Sequence, residues 1–278
     1  SARRSGPLQQ VVVPPCPELL TRLQQAMAAA EPDLCEVARI ADADVAMAAT
    51  LIRNANGAAF AGSAAVATAG QAMNRLGLRQ SAAIMTGFLA RHALPVRHPM
   101  LQDFWERATR RAIAVATLAG ELPGLAIDLA WSYGLFTHVG MPVLMQSVRG
   151  YAGTLMEAAA RTDRPAIATE NANHRTDHAV VGALTARVWR LAPEVLAAIR
   201  LHHSLEVLGG QDTEPGVQSL LAVGLVADHL LHRLAGTPDE AEWAAHAAAA
   251  LAWLHIDADE LDSWEDLLGP RLDAHQAN

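Results

Sequence analysis

Lysine is absent from this sequence: its 21 basic residues are all arginines, against 29 acidic residues, and the formal net charge is −8. The arginines form no cluster anywhere along the chain. Because binding to phosphate backbones needs clustered basic side chains, the sequence predicts that nucleic acid is not a partner. We attribute the exclusive use of arginine to codon bias and not to chemistry.

Cysteine is almost as scarce, since Cys16 and Cys35 are the only two and neither has CxxC or metal-finger spacing. A disulfide framework is therefore not expected, and a reducing cytoplasm is the default compartment. No apolar run reaches the ~18 residues of a membrane span. The opening stretch SARRSGPLQQ lacks the apolar core of a secretory signal. These absences favour a cytoplasmic protein without a membrane partner.

Aromatic residues make up only 4% of the chain, and alternating runs of β-branched residues are missing. Alanine is abundant instead, within a hydrophobic content of 51%. Because alanine is the best helix former, the composition predicts an all-α protein. The 278 residues suffice for one large domain or two modest ones.

Capping residues divide the first part of the chain into about five short helices. The segment LPVRHPM (94–100) then carries two prolines and is the best internal boundary. We therefore predict an N-terminal helical bundle over 1–95, packed on a larger helical bundle over 96–278 that includes a C-terminal helical extension. The capping positions are Pro17, Asp33, Asp42 or Asp44, and Gly77.

Several polar side chains of the second part stand on otherwise apolar helix faces. A carboxylate in such a place needs a partner, because burying it unpaired costs several kcal/mol. Any one of the histidines alone is more simply a hydrogen-bonded core or surface residue, but their order on successive helices favours a shared site. The residues are His138, His178, the pair His202–His203, and Asp228.

Five segments, taken in order, resemble the HDOD family, a signalling branch related to the HD and HD-GYP phosphohydrolases. The resemblance covers about residues 10 to 235. It implies an HD-like helical bundle and a role in bacterial signal transduction. The segments are VPPCPELLTRL, ADADVAMAATLIRNANGAAF, AVATAGQAMNRLG, HVGMPVL and DHAVVGALTARVWRLAPEVLAAIRLHH.

The resemblance also implies a site. The related hydrolases hold metal with a first histidine, a His-Asp pair and a distal aspartate, and HD-GYP members add further histidines. By this resemblance His138 matches the histidine of the pair and Asp228 the distal aspartate. The added histidines are matched by His178, His202 and His203.

Two departures from that pattern decide the expected chemistry. Val139 stands where the aspartate of the pair should be, and Arg107 stands where the first histidine should be. Valine offers no donor atom, and an arginine that stays protonated cannot give a lone pair to a metal. We therefore expect no catalytic residue and no metal, but a vestigial pocket in which the Arg107 guanidinium takes the metal's place and pairs with Asp228, helped by His138.

The expected function is that of a non-enzymatic regulatory module with a signalling protein as its partner, bound through an exposed apolar face that includes Trp243 or Trp253. Two alternatives stay open. A partial His/Asp site would hold iron, manganese or zinc in a metal-dependent phosphohydrolase, or the vestigial pocket would bind an anion or nucleotide as a sensor. Elsewhere, RNANG (53–57) is more simply a helix-ending turn than a polar binding loop.

Overall fold

The computed structural model of the chain describes residues 7–28, 31–57, 64–161, 163–238 and 241–276. Throughout these ranges the regular secondary structure is helical and strands are missing, which confirms the all-α prediction. None of the described helices is both long and apolar enough to cross a lipid bilayer.

The first helices follow the caps that the sequence predicts. Asp33 accepts a hydrogen bond from the Glu36 backbone N–H, and Asp44 accepts from Ala46. Gly77 ends α4 with a φ of 79°, a conformation that favours glycine. After a 3₁₀ turn at Pro7–Gln10 come α1 (Glu18–Ala28), α2 (Leu34–Asp42), α3 (Val45–Ala55), α4 (Ala69–Leu76) and α5 (Leu78–Ala93).

The remaining helices begin after the proline-containing connection, which includes a 3₁₀ turn at Pro99–Leu101. The division of the chain at this connection into 1–95 and 96–278 stays a prediction. The helices are α6 (Phe104–Gly120), α7 (Ile127–Phe136), α8 (Gly140–Ser147), α9 (Tyr151–Ala160), α10 (Ala166–His174), α11 (His178–Val188), α12 (Pro193–Leu201), a 3₁₀ turn (Leu205–Val207), α13 (Pro215–Ala235), α14 (Ala241–Leu254) and α15 (Ala258–Gln276).

Glycines let three helices of this second group approach closely. A Cβ on Gly134 in α7 would lie 2.7 Å from the Ala112 Cα in α6. A Cβ on Gly224 in α13 would lie 2.7 Å from Cε1 of Tyr133 and 2.9 Å from Nη2 of Arg111. All three distances are shorter than ordinary van der Waals contacts, so a larger residue at either position would force α7 away from α6 or α13 away from Tyr133 and Arg111.

The two tryptophans of α14 are half-buried against α13. Trp243 stacks on His229 with ring centroids 3.8 Å apart, and the Trp253 Nε1–H donates to the Ser219 hydroxyl at 3.1 Å. Both rings pack on α13 and are only partly exposed, and the expectation that one of them belongs to an exposed apolar face stays a prediction.

Candidate functional site

A bidentate ion pair between Arg111 and Asp228 joins α6 to α13. Nε of Arg111 donates to Oδ1 at 2.8 Å and Nη2 donates to Oδ2 at 2.9 Å. The arginine side chain is 7% exposed and that of Asp228 is 34% exposed. Burial alone would lower the pKa of Arg111, but the charge of Asp228 raises it above its ordinary value. The guanidinium is thus a permanent cation with a matched counter-ion.

The other faces of the guanidinium are also occupied. Nη1 of Arg111 donates to the Thr137 hydroxyl at 2.5 Å, and that hydroxyl donates to the Tyr133 carbonyl at 2.5 Å. The Tyr133 ring lies below the cation, with its centroid 5.0 Å from Cζ. Burial raises the pKa of Tyr133, which therefore stays neutral. Every nitrogen of Arg111 has a partner, so its position is fixed.

The sequence prediction named the wrong arginine. Arg107 is exposed in the first turn of α6, whereas Arg111, one turn further along, is buried and pairs with Asp228. Both arginines lie on the same face of the helix, since they are four residues apart. Which of them meets Asp228 depends on how far α6 is shifted along α13, and helical periodicity does not contain that information.

Val139 lies where the HD pattern places an aspartate, and its side chain is fully buried. It follows His138 in the turn between α7 and α8, two residues after Thr137, whose hydroxyl accepts from Arg111. The neighbouring Gly140 packs against the head of α11, since a Cβ there would lie 2.0 Å from the His178 carbonyl oxygen. The turn is thus held against His178, with an apolar side chain in the position of a metal ligand.

The four histidines predicted from the sequence come together next to this turn. Nε2 of His178 lies 3.2 Å from Nε2 of His202 and 3.0 Å from Nε2 of His203. A ring nitrogen of His138 lies within 4.8 Å of ring nitrogens of His178 and His202. Helices α11 and α12 and the α7–α8 turn each contribute to this histidine cluster.

The rings of His178, His202 and His203 are each held by a contact at Nδ1. His178 Nδ1 lies 2.9 Å from a Glu170 oxygen, His202 Nδ1 lies 2.7 Å from the Ile199 carbonyl, and His203 Nδ1 lies 2.5 Å from Glu242. Carboxylate and carbonyl oxygens accept hydrogen bonds, so in a neutral ring the proton sits on Nδ1. The Nε2 atoms of His202 and His203 then each face Nε2 of His178 with a lone pair.

Two of these histidines are neutral at physiological pH. Burial lowers the pKa of His138 well below its usual value, and the nearby charge of Arg111 lowers it further. Burial also lowers the pKa of His202, and the charges of the other histidines add to that effect. Neutral imidazoles are metal ligands, whereas protonated ones are not.

Glu170 is the main support of the histidine cluster and has no accessible surface. It accepts from the Tyr151 hydroxyl at 2.9 Å and from the His178 backbone N–H at 2.7 Å, besides the ring contact. Burial alone would raise the pKa of Glu170, but its hydrogen bonds with His178 hold that pKa below the usual range. Sequence reasoning missed Glu170 and Glu242, because they lie on other helices without a fixed spacing to the histidines.

The geometry of the histidine cluster is compatible with a bound metal ion, whereas the residues at the HD position are not. A zinc–nitrogen distance of ~2.0–2.1 Å in a tetrahedral site separates neighbouring nitrogens by about 3.3–3.4 Å, close to the 3.0 and 3.2 Å observed here. The aspartate that would complete the HD site is instead bound to Arg111. His138, His178 and His202 are thus the residues able to hold an ion, since their ring nitrogens all lie within 4.8 Å of one another, and Nε2 of His203 lies 3.0 Å from His178 beside them.

An all-helical bundle with a histidine pocket of this kind defines a protein of the HD-like class, and solved structures share the fold. A candidate phosphohydrolase from Shewanella amazonensis SB2B aligns with a TM-score of 0.75 at 20% identity, covering 98% of this chain and 97% of that one. An HDOD domain protein with unknown function from Geobacter sulfurreducens aligns with a TM-score of 0.71 at 17% identity, covering 94% and 93%. At these identities the likeness shows the fold alone.

The chain belongs to the HDOD family, since the HDOD domain model matches residues 13–205. The resemblance predicted from the sequence is therefore confirmed. An uncharacterized protein of Treponema pallidum (strain Nichols) is 26% identical over 195 residues, which are 69% of this chain and 38% of that protein. The chain thus spans well under half the length of this curated relative.

A candidate signal transduction protein from Marinobacter aquaeolei VT8 has the same fold within a longer chain. Its TM-score is 0.72 at 20% identity, and the alignment covers 95% of this chain and 58% of that one. At this identity the likeness again shows the fold alone, and it is the family match that makes this chain an HDOD-type module.

Proposed function

We propose that this chain is a non-hydrolytic signalling module that acts by binding a partner protein, with the Arg111–Asp228 pair in place of the HD metal. The observation that carries this proposal is the bidentate contact at 2.8 and 2.9 Å. A catalytic metal of this kind needs ligands around an open position where water loses a proton. Here the distal carboxylate is neutralised by a guanidinium, and Val139 offers no ligand atom.

Electrostatics work against an ion at the HD position. The positive charge of Arg111 lowers the pKa of His138, so the electrostatic effect of this guanidinium extends to the histidine cluster. A divalent cation placed at the HD position would meet that fixed positive charge in a partly desolvated site, where repulsion is screened less than in water. The Arg111–Asp228 pair joins α6 to α13 without a metal ion. A module that only binds a partner protein needs a stable fold of this kind and no metal at this position.

An assay for phosphodiester hydrolysis tests the proposal. Purified protein without a histidine tag, incubated with bis(p-nitrophenyl) phosphate and Mn²⁺, Fe²⁺ or Zn²⁺, is expected to release p-nitrophenol no faster than metal in buffer. Hydrolysis that requires the protein and stops on addition of a chelator would contradict it.

The convergence of ring nitrogens from His138, His178 and His202 favours a second candidate, a metal-dependent phosphohydrolase that uses the imidazoles alone. Three histidines around one ion leave the fourth position open for a water, which the ion would activate for attack on phosphorus. Nδ1 of His178, His202 and His203 contacts Glu170, Ile199 and Glu242 in turn. Contacts of this kind orient metal-bound imidazoles.

Metal content separates the two candidates. If the imidazoles hold an ion, elemental analysis of the tag-free protein is expected to find about one zinc, iron or manganese per chain. His202→Ala should then lose most of that metal, because one of three ligands is gone, while His92→Ala, on exposed α5 surface, should retain it. Bound metal without hydrolysis would leave the first proposal standing and give the ion a structural role. If no metal is bound after reconstitution with these ions, the second candidate function is excluded.

The sensor alternative for this same pocket gains no support from the contacts. All three nitrogens of the Arg111 guanidinium donate to Asp228 or Thr137. Arg107, the arginine first expected to grip an anion there, is exposed.

A further inference from the structure

The segment that precedes α1, residues 11–17, forms a strap across the second group of helices. Its sequence VVVPPCP contains three prolines, and its residues belong to no helix or strand. Exposure recurs at every third position, since Val12 and Pro15 are exposed and the other five residues are partly buried. A repeat of three residues is that of a polyproline II helix. Two of the three faces of the strap thus pack on the bundle, and the third faces solvent.

The backbone of the strap is bound by side chains at the ends of α8 and α11. The hydroxyl of Ser147, the last residue of α8, accepts from the Val12 backbone N–H at 3.1 Å and lies 3.4 Å from the Val12 carbonyl. The indole Nε1–H of Trp189, which follows α11, donates to the Pro14 carbonyl at 2.9 Å. A polyproline II helix has no internal hydrogen bonds, so these partners fix the position of the strap along the bundle.

Trp189 is fully buried and connects α1 and the strap to the helices that carry the histidines. Its carbonyl accepts from Nε2 of Gln24 in α1 at 2.5 Å. On the other side its ring meets the Phe136 ring edge-on, with the ring centroids 6.0 Å apart. Phe136 ends α7, two residues before His138. A displacement of α1 or of the strap therefore acts on a side chain that packs next to the turn of His138.

Helices α8 and α11 are held together at both ends. Their beginnings meet beside the histidines, where an added Cβ on Gly140 would lie 2.0 Å from the His178 carbonyl oxygen. Their other ends bind the strap at Val12 and Pro14, only two positions apart. Because closely packed helices move as rigid bodies and transmit strain, a change at the strap end also alters the contact at the histidine end.

We propose that the strap is a clamp that regulates the histidine cluster. When docked, it holds α8 and α11 together and keeps His138 beside His178; when released, it lets the two helices separate. A few side-chain hydrogen bonds hold it, so local opening releases it without unfolding the bundle. The releasing signal is a displacement of α1, which is joined to Trp189 through Gln24. This regulation goes beyond the proposed function and does not depend on whether the chain hydrolyses phosphodiesters.

Trp189→Phe tests the clamp, because it keeps an aromatic ring beside Phe136 and removes the indole donor. We expect amide hydrogen exchange in α8 and α11 to be about five- to tenfold faster than in the parent, the effect of one lost hydrogen bond on local opening. The NMR signals of the ring nitrogens of His138 and His178 should also change, which would show that the effect reaches the cluster. Both are measured on the whole chain without a partner.

Trp105→Phe is the matched control, since Trp105 is also buried and its Nε1–H donates to the Leu94 carbonyl at 3.1 Å, away from the strap. This variant loses an equivalent hydrogen bond but should leave exchange in α8 and α11 and the histidine signals as in the parent. If both tryptophan variants give the same result, or if the histidine signals in Trp189→Phe match those of the parent, the proposal is wrong.

A second pair of variants keeps the test decisive if Trp189→Phe is unstable. Ser147→Ala, at a partly exposed residue, removes the contact with Val12 and should speed exchange in the same two helices. Its neighbour Gln146 donates to the Pro95 carbonyl at 2.9 Å and does not bind the strap. Gln146→Ala should therefore exchange as the parent does, and equal exchange in the two variants would overturn the proposal.

Discussion

Replacing Asp228 by alanine is expected to lower the free energy of unfolding by about 2–3 kcal/mol, less than the ~3–5 kcal/mol of a fully buried pair, because the Asp228 side chain is 34% exposed. The Arg111 side chain is only 7% exposed, so water that enters the space left by Asp228 replaces only part of the two lost hydrogen bonds. Thr137 would remain as a neutral acceptor for one nitrogen, which does not compensate a full positive charge. Urea unfolding followed by circular dichroism measures the change.

Two further variants show whether the loss of stability comes from the Arg111–Asp228 pair itself. Arg107→Ala should stay within ~0.5 kcal/mol of the parent, since substitutions of exposed residues cost little. The double variant Arg111→Met with Asp228→Leu should recover most of the stability, because apolar residues of similar volume replace buried ion pairs at little cost. An Asp228→Ala protein as stable as the parent would mean that the pair contributes nothing, and the central claim about the HD position would fail.

Gly140→Ala is expected to be at least as damaging, with a loss of ~3 kcal/mol or more, at or above the upper end of the usual cost of overpacking. The added Cβ would lie 2.0 Å from the His178 carbonyl oxygen and 2.7 Å from the Gly182 nitrogen. Both are backbone atoms, so α8 and α11 must move apart. Because His178 begins α11, that movement also separates His138 from the other imidazoles.

The matched control is Gly153→Ala in α9, where an added Cβ meets nothing within 4 Å. Alanine is favoured over glycine inside a helix, so this variant should gain ~0.5–1 kcal/mol. Comparing the two melting curves separates the general effect of a methyl group from the close contact at residue 140. If both variants melt alike, α8 and α11 are not in close contact at Gly140.

The candidate site shows how far the sequence alone could be used. His138, His178, His202, His203 and Asp228 were found because each stands out as a polar residue on an apolar helix face, and the structure brings the four histidines together. The arginine partner of Asp228 was assigned one turn too early. Residues four apart occupy the same face, so only the contact between α6 and α13, set in part by Gly224, selects Arg111.

The two glutamates that hold the histidine rings could not be predicted from the sequence, for a similar reason. Glu170 lies eight residues before His178 and Glu242 lies 39 residues after His203, each on a different helix from its histidine. No periodicity links such positions.

The sequence by itself determined the helices, their caps and the family. Helix propensity and capping depend on neighbours along the chain, and the family follows from the order of short segments along it. Tertiary packing alone decided which guanidinium faces Asp228 and that the ring nitrogens of the histidines converge. Those features depend on the relative shift and closeness of helices, which are set by contacts between residues far apart in the chain.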